Sequence, residues 1–384
     1  MVICDTSSAS PAKASTSSRH ESSMKRGRRD TLGGRKHHGD RSSHEEEEET
    51  KRVRKSVGRF ETPGPAPEKE KSMTSESKLD LASLYNTVEQ YIYVISGFHD
   101  SPLASVERFD VQRGIWTEMP EIGLARTKFA TISTTGGKIF VLGGKQADGT
   151  RTSRIEEFDC KRNTWTQSRI SMPRARSGFA AVLYNGHEVY AIGGNDGHVL
   201  NRVDKLDLKT GRWESLPPMN KKRDELSVTI GPDGRIYAIG GYGGADNSCL
   251  RSAERFDPVL KKWEMLPQMN EPRRALSAVT LPDGVYALGG YNGQDYLASV
   301  ERFDEAAGEW VEVCPMNASR CTLSAASSPD CQHIYAIGGF DGMPLSIVER
   351  YNVVDDAWEF VTPMKEKRFM HSAVSRFETY AHAH

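Results

Sequence analysis

Along most of this chain the hydrophobic positions come in short runs punctuated by glycine pairs and Asx residues. Runs such as IFVLGG, VYAIGG, IYAIGG and VYALGG end in two glycines and place bulky residues on both faces of an extended strand, so both faces must be covered by protein. A second kind of run reads VERFD, IEEFD, VDKLD, AERFD, VERFD and VERYN. Alternation there sets Glu107 beside Phe109 on one face and Val106 beside Arg108 on the other, with the same arrangement around Glu301, Arg302, Glu349 and Arg350. On a strand covered from both sides such charges must be paired, and they are expected to clip one sheet to the next, because an unpaired buried charge is strongly destabilising. A third kind of run follows an arginine, as in RSGFAAVLYN and RCTLSAASS, and a fourth carries a tryptophan. An Asp or Asn (Asp110, Asp159, Asp207, Asp257, Asp304, Asn352) precedes each Trp by six residues, which predicts a hairpin of fixed length closed by the Asx side chain.

These four strands form one unit, and the unit recurs six times. Glycine pairs stand at Gly143-Gly144, Gly193-Gly194, Gly240-Gly241, Gly289-Gly290 and Gly338-Gly339, with Ser96-Gly97 in the first unit, where some looseness is expected. The six tryptophans of the chain, Trp116, Trp165, Trp213, Trp263, Trp310 and Trp358, are spaced 47 to 50 residues apart. That period suits a four-stranded sheet per unit. One such sheet cannot bury both of its faces alone, whereas six packed radially can, so the chain is predicted to be all-β, a six-bladed β-propeller of four-stranded antiparallel blades. The glycine pairs allow backbones to crowd, and each Trp is expected to bury on the order of 150–250 Å² between blades.

The glycine pair after an aromatic-containing strand, the aromatic-Asp pair and the spaced tryptophan resemble the Kelch motif, and the array is similar to six-bladed Kelch propellers over residues 78–377. The first and last blades must share an edge. The segment PMKEKRFMHSAVSRF begins a fresh first strand after Trp358 and is expected to complete the blade started by YIYVISG, as the resemblance implies; KLDLASLYN, from Lys78, is the rival for that place.

Composition divides the chain. Residues 1–77, rich in Ser, Lys, Arg, Glu, Pro and Gly, cannot bury enough apolar surface to offset ordering entropy and are expected to be a disordered tail, with the propeller over 78–384. Residues 1–78 hold 17 basic and 13 acidic side chains, leaving 34 and 39 for the body. That balance argues for neither nucleic acid nor membrane as a partner. With no run long enough for a signal core or a membrane span, a cytoplasmic protein is expected, and the basic clusters at 25–38 and 51–55 make a nuclear signal the alternative. The six cysteines have no metal-site or disulfide spacing and are expected to be free, mostly buried thiols.

Candidate binding residues come from the loops. Length variation concentrates after the glycine pairs, so one face of the ring is diversified. Phe98, Tyr242, Tyr291 and Phe340 follow the glycines directly; they either anchor a partner or cap the blade end. Arg126, Arg176, Arg223, Arg273, Arg320 and Arg368 open the first strands and are expected to ring a channel mouth. Kelch substrate receptors hold acidic peptides with arginines in this place, so the resemblance implies that role, the guanidinium fork being matched to carboxylates. The competing reading pairs each arginine with a neighbour such as Asp224 or Glu366. The expected function is a non-enzymatic protein-binding or scaffold module without cofactor or metal. The histidines His99, His187, His198, His333 and His371 fall at unrelated positions in their units, against copper chemistry, and no nucleophile-base pair or phosphate loop is present. Alternatives are a ubiquitin-ligase adaptor acting through a separate partner, since a BTB domain cannot be formed by 77 polar residues, an actin-binding role, and, least favoured, a propeller enzyme such as a sugar epimerase.

Overall fold

Residues 88–244 and 248–379 are described by the computed structural model, and they lie in the second of two units, Ser75–His384. The expected tail and KLDLASLYN lie outside the described residues. Among those residues 24 strands form six separate four-stranded antiparallel sheets. No helix there is long and apolar enough to cross a membrane.

Blade 2 spans residues 130–167, blade 3 spans 180–216, blade 4 spans 227–265, blade 5 spans 277–313 and blade 6 spans 324–361. Blade 1 is composite. Its second, third and outer strands are Val88–Ile95, Val106–Asp110 and Ile115–Met119, and its inner strand is the C-terminal Ser372–Thr379. The register from Val88 opposite Thr379 to Ile95 opposite Ser372 fixes this seam, so the expected C-terminal strand closes the ring. Inner strands contact one another in an unbroken circle, 1 to 2 through 6 and back to 1.

Covering on both sides explains the apolar second strands: Ile92 to Ile95, Val189 to Ile192, Ile236 to Ile239 and Val285 to Leu288 are all buried. Each Trp lies opposite the third-strand residue of its own blade, at ring centroid distances of 4.9 to 5.2 Å from Phe109, Phe158, Phe256, Phe303 and Tyr351. Five indole N–H groups then reach across to the preceding blade, donating to the carbonyls of Thr362, Pro120, Pro217, Pro267 and Cys314. Trp213 is the exception: Leu206 stands opposite it, it is half-buried, and its N–H meets no acceptor among the described residues.

The glycine pairs are tight. At Gly143 (φ +58°) a Cβ would lie 2.8 Å from the carbonyl oxygen of Arg176, and at Gly144 (φ +104°) 2.8 Å from Cβ of Phe129. Ser96 adopts the same left-handed backbone (φ 55°). It is fully buried, and its single hydroxyl proton is shared between the carbonyls of Leu103 (2.7 Å) and Arg126 (2.8 Å), which holds the strained residue in place. The cysteines depart from expectation: of the five described, all free, only Cys321 is buried and Cys331 is exposed.

Candidate binding face

Inner strands begin, and second strands end, on the same side of the ring, so two sets of loops share one face: those after the glycine pairs and those leading into each inner strand. The six arginines of the lead-in loops do not present themselves there. All are at most 1% exposed, and each meets a carboxylate of its own blade's third strand: Arg126 with Glu156, Arg176 with Asp204, Arg223 with Glu254, Arg273 with Glu301, Arg320 with Glu349, Arg368 with Glu107. Arg273 shows the complete pattern. It donates to the carbonyls of Gly289 and Ser299 (both 2.9 Å), to Ser299 Oγ (2.8 Å) and to Glu301 through Nε (3.1 Å) and Nη2 (2.9 Å). The expected arginine ring for acidic partners is thereby corrected: the guanidinium folds back under its loop and spends its donors inside the blade. Burial pushes Arg126 and Arg176 down to about 10, opposed by Glu156 and Asp204 respectively, so both stay charged at neutral pH. Most third-strand charges are likewise paired within blades, Arg108 meeting Glu378 at 3.7 Å and Arg302 meeting Asp283 at 3.3 Å, while the expected pairing across blades occurs at Arg255 of blade 4, which meets Glu305 of blade 5.

Above each arginine the chain turns through a left-handed residue: Lys128, Gly178, Glu225, Ala275, Thr322 and Met370, with φ between 51° and 65°. Their amides link head to tail around the axis. Gly178 donates to Lys128, Glu225 to Gly178, Ala275 to Glu225, Thr322 to Ala275 and Met370 to Thr322 at 2.7 to 3.1 Å, and Lys128 closes the circle onto Met370 at 3.4 Å. Left-handed backbone is unfavourable for residues other than Gly, most of all for β-branched Thr322, so the circle is over-determined by its surroundings. Lys128 Nζ meets Glu225 at 2.9 Å across this mouth, which holds a cavity of about 110 Å³. Beside it burial, then Glu225, raises the Asp224 carboxyl to about 6 while Asn195 donates to it at 3.1 Å. The loop-face end of the channel is therefore a closed collar.

What remains open to a partner lies outside that collar. The residue after each glycine pair forms a bridge with the residue after each arginine: Phe98 with Phe369, Lys145 with Thr127, Asn195 with Ser177, Tyr242 with Asp224, Tyr291 with Arg274, Phe340 with Cys321. Phe98, Tyr242, Tyr291 and Phe340 are all half-buried, one side packed and the other wet. They join through residues the sequence reading passed over. Tyr291 packs on Tyr296 (5.6 Å), Tyr296 on Phe340 (5.8 Å), Phe340 on Phe369 (5.0 Å) and Phe369 on Phe98 (5.4 Å). The Arg274 guanidinium lies over both Tyr291 (5.2 Å) and Tyr242 (5.8 Å). A continuous aromatic arc thus runs from blade 4 through blades 5 and 6 to blade 1, while blades 2 and 3 present Lys145 and Asn195 at the same position. Comparing the six residues that follow the arginines is the sequence signal that would have found Arg274 and Phe369.

Residues 54–241 match the KLHDC2/KLHL20/DRC7 Kelch-repeats domain, and residues 229–270, 272–317 and 323–365 match the Kelch motif. Among curated proteins the chain is 32% identical over 153 residues to Kelch domain-containing protein 8B of Homo sapiens, covering 36% of this chain and 42% of that protein. It is 30% identical over 112 residues to Kelch-like protein 40 of Xenopus tropicalis (29% of this chain, 18% of that protein) and 24% identical over 157 residues to Kelch-like protein 41b of Danio rerio (40% and 26%). The matches thus span less than half the length of these relatives. Six repeats in register, six closed blades and these matches place the chain in the Kelch-repeat β-propeller family.

Proposed function

We propose that the protein is a binding module whose loop face receives an extended segment of another protein along the aromatic arc. The single observation that carries this reading is the run of rings from Tyr242 to Phe98, half-buried apart from the buried Phe369 and joined at Tyr242 through Arg274, held by the blades beneath. Rings that are packed on one side lose little freedom on binding, which is what interface anchors require. An acidic stretch of such a segment would be met by the exposed lead-in cations Arg174, Lys221 and Lys222, which take over the task first assigned to the inner arginines. A ubiquitin-ligase role would depend on a further partner that brings the ligase.

The test compares proteins captured by the wild type and by a Tyr291→Ser/Phe340→Ser variant. The variant should lose the captured partner while its thermal unfolding stays within a few degrees of wild type. Unchanged capture, or turnover of a small substrate by the purified protein, would overturn the reading.

A further inference from the structure

The opposite rim, formed by the hairpins between third and outer strands, carries an ordered pattern that the loop-face reading does not use. Following the Asx residue, the turns read Leu208-Lys209-Thr210-Gly211-Arg212 in blade 3, Pro258-Val259-Leu260-Lys261-Lys262 in blade 4, Glu305-Ala306-Ala307-Gly308-Glu309 in blade 5 and Val353-Val354-Asp355-Asp356-Ala357 in blade 6. The turns of blades 1 and 2 are basic too, with Arg113 in the first and Lys161 and Arg162 in the second, so in blades 3 to 6 two basic turns are followed by two acidic ones. Lys209, Arg212, Lys262 and Glu309 are exposed and take part in no ion pair among the described residues. The pattern also includes apolar side chains left in water: Val259 is 85% exposed, Leu260 71%, and Val354, at the same turn position as Val259, 83%.

Self-complementarity is the notable property of this order. A two-fold axis passing between the turns of blades 4 and 5 would set blade 4 of one copy against blade 5 of the other, and blade 3 against blade 6. The basic turns of blades 3 and 4 then face the acidic turns of blades 6 and 5, and the aliphatic tip Val259-Leu260 faces the small Ala306-Ala307; the same axis sets Lys161 and Arg162 of blade 2 against Arg113 of blade 1, which Asp110 and Glu89 already neutralise. Because the operation is its own inverse, each contact occurs twice, as an isologous interface requires. Four turns of five residues give roughly 20 residues a side, the lower end of what a specific interface uses.

We infer that this rim joins two copies of the chain into a symmetric dimer through the turns of blades 3 to 6, leaving both loop faces free. The occupant is a second copy, because one chain carries both halves of the complementary pattern. The pairing makes bivalent capture available: two loop faces in one particle bind a partner with repeated segments more tightly than either does alone.

Sedimentation velocity on the full chain between about 1 and 100 micromolar tests the inference. The wild type should be a dimer that loosens more than tenfold in dissociation constant between about 0.05 and 0.5 M salt. Lys209→Glu/Arg212→Glu/Lys262→Glu and, separately, Glu309→Lys/Asp355→Lys should each be monomeric with unfolding temperatures near wild type. Mixed one to one, the two variants should pair again, since the unaltered acidic turns of blades 5 and 6 in the first meet the unaltered basic turns of blades 4 and 3 in the second. Four results would overturn the inference: a monomeric wild type throughout the range, species growing beyond dimers, a dimer indifferent to either reversal, or reversed variants that fail to pair when mixed.

Discussion

Blades 4, 5, 6 and 1 differ from blades 2 and 3 in how firmly each is fastened to its lead-in loop and its neighbour. In the first group the third strand carries a glutamate that accepts two loop amides besides its arginine: Asn220 and Lys221 donate to Glu254, Asn270 and Glu271 to Glu301, Asn317 and Ala318 to Glu349, Lys365 and Glu366 to Glu107. Among the described residues neither Glu156 of blade 2 nor Asp204 of blade 3 accepts such amides. Their second partners are the flanking Arg154 and Arg202. The inner strands repeat the division. Those of blades 4, 5, 6 and 1 begin with Ser227, Ser277, Ser324 and Ser372, the first three of which accept the amides of Ala278, Ala325 and Ala373 in the next blade, whereas blades 2 and 3 begin with Ala130 and Ala180. The aromatic arc stands on the firmly fastened four. A binding surface on a rigid base loses less freedom when a partner arrives, so under the function proposed above the division would place order where recognition needs it.

The largest expected test of this contrast is removal of the carboxylates. Glu301→Ala leaves a buried guanidinium and two loop amides unpaired and should lower stability by about 3–5 kcal/mol. Asp204→Ala should cost about 1–2 kcal/mol less, because no loop amide depends on it. Equal losses in chemical denaturation would erase the distinction between the two groups. Next come the tryptophans. Trp310→Ala, which removes an aromatic contact and a cross-blade hydrogen bond, should cost about 3–5 kcal/mol, and Trp213→Ala, half-buried opposite Leu206, clearly less.

A smaller effect is expected at the weak point of the firm group. His371 occupies the place held by Phe129, Phe179, Leu226, Leu276 and Leu323 in the other blades, and neither ring nitrogen has a partner among the described residues. Burial, then the nearby Arg368, pushes it down to about 3. The folded state therefore binds fewer protons than the unfolded chain below about pH 6.5, so stability should be flat above that pH and fall as the pH drops toward 3. His371→Leu should gain about 1–3 kcal/mol near pH 7 and lose the dependence contributed by this group. Parallel curves for variant and wild type from pH 7 to 4 would refute the assignment.

Most of the architecture was legible because it repeats: glycine pair, Asx turn and Trp report the same geometry six times, and any single deviation is outvoted. The closing strand was legible for the same reason, since Arg368 falls into the arginine register. The arginines themselves were misread because their partners are remote. The third-strand carboxylates they meet lie 28 to 31 residues further along, and for Arg368 on the opposite side of the seam; of the two neighbours that sequence proximity points to, Glu366 does meet Arg368, at 3.1 Å. The arc was half visible: the aromatic after each glycine pair recurs in phase, but Phe369 and Tyr296 break the repeat, and only the packing of neighbouring loops brings them into line.

The collar of amides has one further consequence, for how the molecule is made. Five of its links join consecutive repeats and can form as those repeats leave the ribosome, but the sixth joins Lys128 to Met370. Until Ser372–Thr379 has been synthesised the inner edge of blade 1 lacks its neighbour, and the nascent chain is an open crescent with sticky ends. Blade 1 can thus be completed only after residue 379 has been made, and until then the Val88–Ile95 edge lacks its partner strand.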